Sequence, residues 1–124
     1  MCKQCYRDCI ELKDIPLKGL LHLAILYLIK KKPSYGSEIH QLLREELGIE
    51  APRPLVYTLL RRMERNGWIT SEWDTKKRGP ARRVYKITEE GIRRLIKVAE
   101  MIRKSMPVIE SLITQIEREV SSVR

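Results

Sequence analysis

Between Arg53 and Arg83 the sequence places nine lysines and arginines (Arg53, Arg61, Arg62, Arg65, Lys76, Lys77, Arg78, Arg82 and Arg83) against three acids, Glu64, Glu72 and Asp74. A quarter of the chain thus holds six of its nine net positive charges. Guanidinium and ammonium groups gathered in this way bind phosphate oxygens. A guanidinium also carries the paired donors that match the O6 and N7 edge of guanine. A solvated surface interleaves its signs. A one-signed segment is therefore read as a face for a polyanion. The bias is strongest from Lys76 to Arg83, where five cations flank one turn with no acid among them.

A second group with chemical potential stands at the N-terminus. Cys2, Cys5 and Cys9 are spaced C-x2-C-x3-C. Thiolates at that separation can hold zinc or an iron–sulfur centre, with His22 or a residue of a second subunit as a fourth ligand. The same spacing, with Tyr6 and Ile10, also makes the apolar face of a short helix, where cysteine packs as a small hydrophobe. No cofactor is expected apart from a metal at these cysteines. His22 and His40 stand alone on helical segments and are read as packed side chains. No Ser/His/Asp set, paired carboxylate site or phosphate-cradling glycine loop is present, so no enzymatic activity is expected.

The elements that position these groups are legible from periodicity. The 124 residues contain no Phe, so aliphatic side chains must build one modest core. Leu17 to Lys31 is apolar nearly all round, the mark of a buried central helix, and Pro33 ends it. Ser34 or Ser37 caps a second helix through Glu46, with Ile39, Leu42, Leu43 and Leu47 apolar and Gly48 as its stop. Pro54 suits the first turn of a third helix. Leu55, Val56, Leu59, Leu60 and Met63 form its buried stripe, and Arg53, Tyr57, Thr58, Arg61, Arg62 and Arg65 its opposite face. The period then changes to two. Trp68–Trp73 and Arg82–Ile87 are predicted as the strands of a hairpin with a basic tip. Thr88 caps a fourth, long helix. Its apolar residues Ile92, Leu95, Ala99, Ile102, Met106, Ile109, Ile113, Ile116, Val120 and Val123 recur in alternating steps of three and four, the seam of a coiled coil. Pro107 predicts a kink or break near Ser105 to Pro107.

Three helices, a hairpin and a further helix is the order of a winged helix-turn-helix. The fold class expected is mainly α with a small β-hairpin and a long C-terminal dimerisation helix. The division is an N-terminal cysteine-bearing extension (1–14), a winged-helix DNA-binding domain (15–88) and a coiled-coil-like helix (89–124). A helix of this kind enters the major groove with its first turns. Thr58 and Arg61 are candidates to read bases. Arg53, Tyr57 and Arg62 are candidates for phosphate or base contact, and Lys76, Lys77, Arg78 and Arg82 of the wing for the backbone. The seam residues Ile92, Leu95, Ala99, Ile102, Met106, Ile109, Ile113 and Ile116 would pair two copies.

The runs Tyr35-Gly-Ser-Glu-Ile39, Val56-Tyr-Thr-Leu-Leu-Arg-Arg-Met-Glu-Arg-Asn-Gly67 and Gly79-Pro-Ala-Arg-Arg-Val-Tyr-Lys-Ile-Thr-Glu-Glu-Gly91, in that order, closely resemble PadR-family transcriptional regulators of the short subfamily. The resemblance extends from about Leu17 to Leu112. It implies a homodimer on a palindromic operator in double-stranded DNA, acting as a repressor. It adds Tyr35 to the DNA-contact set, as the aromatic at the start of the second helix, and aligns Tyr57 with the recognition-helix tyrosine. It also implies a possible small-molecule effector site at the dimer centre, near Trp68, Trp73 or Tyr6. Arg53-Pro54 departs from the small polar residues of many members, and the cysteine-bearing N-terminus is not a usual family feature.

The stretch MCKQCYRDC is followed by no signal-type apolar run, and Leu17–Ile29 is too short to span a bilayer. The expected location is cytoplasmic, without membrane partners. Three cysteines and no secretion signal argue against a disulfide framework. Two other classes fit parts of the sequence. One is a protein-interaction module docking through the long helix, and the other a metal or redox sensor built on Cys2, Cys5 and Cys9.

Overall fold

A computed structural model describes residues 19–76 and 79–123. Helix α1 covers residues 19–31. It is followed by β1 (Ser34–Tyr35), α2 (Gly36–Leu47), α3 (Arg53–Arg65), β2 (Ile69–Asp74), β3 (Arg82–Ile87) and α4 (Glu89–Val123). The core forms where these elements meet. Ile25, Leu26 and Ile29 of α1, Ile39 and Leu43 of α2, and Val56, Leu60 and Met63 of α3 are sealed from solvent, together with Ile69 of β2. Tyr85 of β3 joins the same cluster. The i, i+3, i+4 spacing of these residues gives each helix one inward stripe.

Apolar residues outside that stripe behave differently. Leu20 and Tyr27 are exposed, as is Leu47 at the end of α2, so α1 shows one apolar face to solvent and is not buried all round. Leu55 was expected in the α3 stripe, yet it is exposed. It lies one step before Val56, whose side chain takes the inward position.

The start of α2 also differs from expectation. Neither Ser34 nor Ser37 is its cap. Ser34 lies in β1, and its hydroxyl donates to the Lys32 carbonyl at 2.9 Å. Tyr35 occupies the cap position in an extended conformation, and its backbone N–H donates to the Glu38 carboxylate at 3.0 Å. Glu38 thus closes half of a capping box. Gly48 ends the helix as anticipated, with φ 65°.

The sheet has three strands in the order β1-β3-β2, all antiparallel. The hairpin was read correctly, but β2 is shifted by one residue, and the two-residue β1 was not foreseen. In register, Ile69 faces Ile87, Ser71 faces Tyr85, Trp73 faces Arg83 and Asp74 faces Arg82. Tyr35 faces Val84. Successive residues of a strand point to opposite sides. One side therefore carries Ile69, Ser71, Trp73, Arg83, Tyr85 and Ile87 toward α3. The other carries Tyr35, Glu72, Asp74, Arg82 and Val84.

Thr88 caps α4 as expected, its Oγ1 accepting from the Gly91 N–H at 3.0 Å. The helix runs unbroken through Pro107. Of the kink or break expected near Ser105 to Pro107, the break does not occur. Proline removes one ladder donor, to the carbonyl of Arg103, and that stretch is solvent-exposed, so water can satisfy the freed carbonyl. The first half of α4 lies on its own domain. Val98 is buried, Leu95 packs against the core, and Ile102 lies within van der Waals reach of the Gly19 position. From Met106 onward the seam is exposed: Ile113 is 50%, Ile116 52% and Val120 50% accessible.

Candidate nucleic-acid interface

The first three turns of α3 project a cationic surface. Pro54 stands in the first turn, where its missing N–H costs no helical bond. Arg53, Thr58, Arg61 and Arg62 are exposed. Among the described residues, Arg53, Arg61, Arg62, Lys76 and Arg82 take part in no ion pair, whereas Lys31, Lys32, Arg83, Lys86 and Arg93 each meet an acid. All five are cations that the sequence assigned to phosphate or base contact.

The remaining predicted contacts have more specific settings. The Thr58 hydroxyl donates back to the Pro54 carbonyl at 2.8 Å, which leaves its methyl and an oxygen lone pair outward. Tyr57 is half-buried and packs on the core where α2 meets α3. A Cβ at Gly36 would lie 2.6 Å from its Cε1, so α2 approaches the ring closely because residue 36 has no side chain. Tyr35 donates its hydroxyl to Asp74 Oδ2. The Arg82 guanidinium lies over the Tyr35 ring, 5.5 Å from its centroid. A cleft of about 470 Å³ joins these groups, lined among others by Tyr35, Ser37, Tyr57, Trp73, Arg82 and Arg83. Lys76 is exposed at the base of the wing tip. Lys77 and Arg78 lie outside the described residues, as do Cys2, Cys5 and Cys9. Among the described residues no His, Cys, Asp and Glu cluster is suited to a metal ion.

Arg83 has a different role from its neighbours. It lies 3.5 Å from Glu64 of α3, donates to Ser71 Oγ at 3.0 Å, and stacks 4.9 Å from the Trp73 ring centroid. Ser71 in turn donates to Glu64 at 2.6 Å. Glu64, Ser71 and Asp74 were given no site role from the sequence, and Trp73 only a place near an effector site. The usable signal was the alternation itself, which places Ser71, Trp73 and Arg83 on the side facing α3. Beneath this network, burial pushes the Tyr85 phenol above its ordinary value, and the charge of Glu64 pushes in the same direction. The two tryptophans separate. Trp68 lies beside α4, 4.7 Å beneath Arg94 and edge-on to His22. Trp73 lines the cleft on the wing and is 60% exposed.

A helix-turn-helix whose second helix carries acid-free cations, followed by a wing of the same sign, defines a winged-helix DNA-binding protein. Residues 25–97 match the Transcriptional regulator PadR-like family, and the chain belongs to that family. It is therefore a transcriptional regulator and not an enzyme. A PadR-family transcriptional regulator from Eggerthella lenta is 28% identical, with 89% of this chain and 96% of that one covered and a TM-score of 0.71. A transcriptional regulator from Clostridium thermocellum is 28% identical over 77% of this chain and 94% of that one, also with a TM-score of 0.71. Bacillus subtilis PadR in complex with operator DNA is 28% identical over 63% of this chain and 44% of that one, with a TM-score of 0.58. No curated protein matches the chain. Among the described residues no helix is long and apolar enough to cross a membrane.

Proposed function

We propose that the chain is a repressor that binds a palindromic operator as a homodimer. Arg53, Tyr57, Thr58, Arg61 and Arg62 enter the major groove, and Tyr35, Lys76, Lys77, Arg78 and Arg82 hold the flanking backbone. The observation that carries this reading is the set of exposed cations gathered on α3 and the wing, Arg53, Arg61, Arg62, Lys76 and Arg82, none of which meets an acid among the described residues. The solved Bacillus subtilis relative, in complex with operator DNA, supports operator binding. An operator occupied across a promoter excludes polymerase, which is the repressor's action.

Two apolar surfaces support the homodimer. One is the exposed stripe of Met106, Ile109, Ile113 and Ile116. The other is a groove of about 550 Å³ between α1 and α4, lined among others by Leu20, Leu23, Tyr27, Leu47, Ile96 and Ala99. A second copy supplies a matching partner for both, and Ile92, Leu95 and Ile102 complete the seam. The same lining sets the chemistry of an effector at this interface, which would be a largely apolar molecule. A metal at Cys2, Cys5 and Cys9 is a separate proposal. Stoichiometric zinc or iron in protein purified without added metal supports it, and metal-free protein rejects it.

Selection of bound duplexes from random sequence tests the main reading. The expected product is an inverted repeat with half-sites about one helical turn, ~34 Å, or a multiple apart. Enrichment of a sequence without two-fold symmetry rejects the homodimeric arrangement. No enrichment over the starting pool rejects sequence-specific binding.

A further inference from the structure

The wing emerges from the domain as two paired strands, and its root is gripped on both sides. On the side facing α3, Glu64 accepts from Ser71 and pairs with Arg83. On the other side stands Asp74, the last residue of β2, half-buried and surrounded by the most basic stretch of the chain. Its Oδ2 accepts from the Tyr35 hydroxyl, and its Oδ1 accepts from the Lys76 backbone N–H at 3.1 Å. The second bond is an Asx-type turn, in which a side chain holds backbone two residues onward. One carboxylate thus joins the start of α2 to the first residue of the wing tip. Arg82, its partner in the strand register, packs on the same tyrosine ring.

A carboxylate beside a phosphate-binding surface weakens binding by its charge. Its placement here calls for an offsetting contribution, and the geometry supplies one. We propose that Asp74 is a positioning residue for DNA binding. Its carboxylate ties Tyr35 to the Lys76 backbone and so holds Lys76 where its side chain meets the sugar–phosphate backbone. The proposal rests on the DNA-binding reading above and adds to it a residue that touches no DNA. A cation already positioned loses less conformational freedom on binding than one that must be placed by the DNA.

Charge and positioning predict opposite signs, which makes the test decisive. The probe is a fluorescein-labelled mixed-sequence duplex of ~30 base pairs, about three helical turns, since backbone contacts do not depend on sequence. Anisotropy titrations compare the full chain, Asp74→Ala, a wing variant (Lys76→Ala, Lys77→Ala, Arg78→Ala) and the combination of the two. Asp74→Ala is expected to weaken binding roughly three- to ten-fold in the native wing. In the wing variant it is expected to cause no loss, or a slight gain from the removed charge. Tighter binding by Asp74→Ala in the native wing overturns the proposal, as does an equal loss in both backgrounds. If the wing variant binds as well as the unaltered chain, the wing reading and the proposal fall together. If it binds more weakly while Asp74→Ala binds more tightly, the DNA reading stands and only the proposal falls. Should circular dichroism show Asp74→Ala unfolded, Tyr35→Phe carries the same cycle. It removes the hydroxyl and keeps the charge. A loss greater in the native wing than in the wing variant supports the proposal, since a direct Tyr35 contact is lost equally from both, and an equal loss overturns it.

Discussion

Gly36 and Tyr57 meet where α2 packs on α3, and the fit leaves no room for a methyl group. A Cβ at residue 36 would lie 2.6 Å from the Tyr57 ring, so Gly36→Ala must displace that ring. Overpacking of this kind costs about 1–3 kcal/mol. Because the obstacle is a side chain, the penalty is expected to shrink in a Tyr57→Leu background. Urea unfolding of the two single variants and the double checks this, and an undiminished penalty would place the strain in the backbone. Tyr85 gives a second prediction at this scale. Burial, then the charge of Glu64, raises its phenol above the ordinary 10.0. The fold favours the neutral phenol, so its contribution is complete below the unfolded value. It is lost as pH rises through the folded one, because the unfolded chain releases its proton first. Stability should therefore fall above about pH 10, and Tyr85→Phe should make that fall shallower in chemical denaturation at stepped pH. An alkaline slope unchanged in Tyr85→Phe would assign it to other groups.

Thr88 and Gly91 join the sheet to α4. The Thr88 hydroxyl donates to the Gly67 carbonyl at 2.6 Å and accepts from the Gly91 N–H at 3.0 Å. Thr88→Ala is expected to cost about 1–2 kcal/mol as a lost cap. Gly91→Ala should cost more. A Cβ there would lie 2.0 Å from the Trp68 carbonyl oxygen, and backbone cannot turn aside as a ring can. Thermal unfolding of the two variants checks the order, and a Gly91→Ala protein as stable as Thr88→Ala would contradict it. At this scale much was legible in the sequence. Thr88 before Glu89-Glu90 announced the cap, and the change from helical spacing to alternation announced the hairpin. The limits were equally physical. Two residues, Ser34 and Tyr35, are too few to show a period, so β1 was invisible until Val84 and Tyr85 paired with them. Ser34 was mistaken for a cap because its hydroxyl turns back to Lys32 while Glu38 serves the amide of Tyr35. The basic face of α3 was visible as charge. The acid that meets Arg83 was not, because Glu64 and Arg83 are brought together only by the fold.

The three-and-four alternation of α4 does two jobs that one sequence pattern cannot separate. Up to Ile102 it lies partly on the helix's own domain, with Leu95 against the core and Ala99 exposed, and from Met106 onward it faces solvent. The second part is exposed from Met106 to Val120, so the consequence for the whole molecule is tested there. Ile113 is half exposed in the single chain, and an acid at this position costs the monomer little. In a dimer it would place a charge in an apolar seam, where an unpaired charge is strongly unfavourable. Ile113→Asp is therefore expected to halve the mass in sedimentation equilibrium at micromolar concentration and to leave secondary structure intact. The effect should reach the DNA. Two domains joined by a seam bind two half-sites as one event, whereas separate domains bind each alone. The dependence of log affinity on log salt scales with the number of phosphates neutralised. On the enriched duplex, Ile113→Asp should thus show about half the salt slope of the unaltered chain, with no new preference among bases. A variant that stays dimeric, with its salt slope unchanged, would assign the pairing to the groove between α1 and α4 without this part of the seam. A monomeric variant with an undiminished slope would mean that one winged helix makes all the phosphate contacts, and that the second copy serves another purpose than binding DNA.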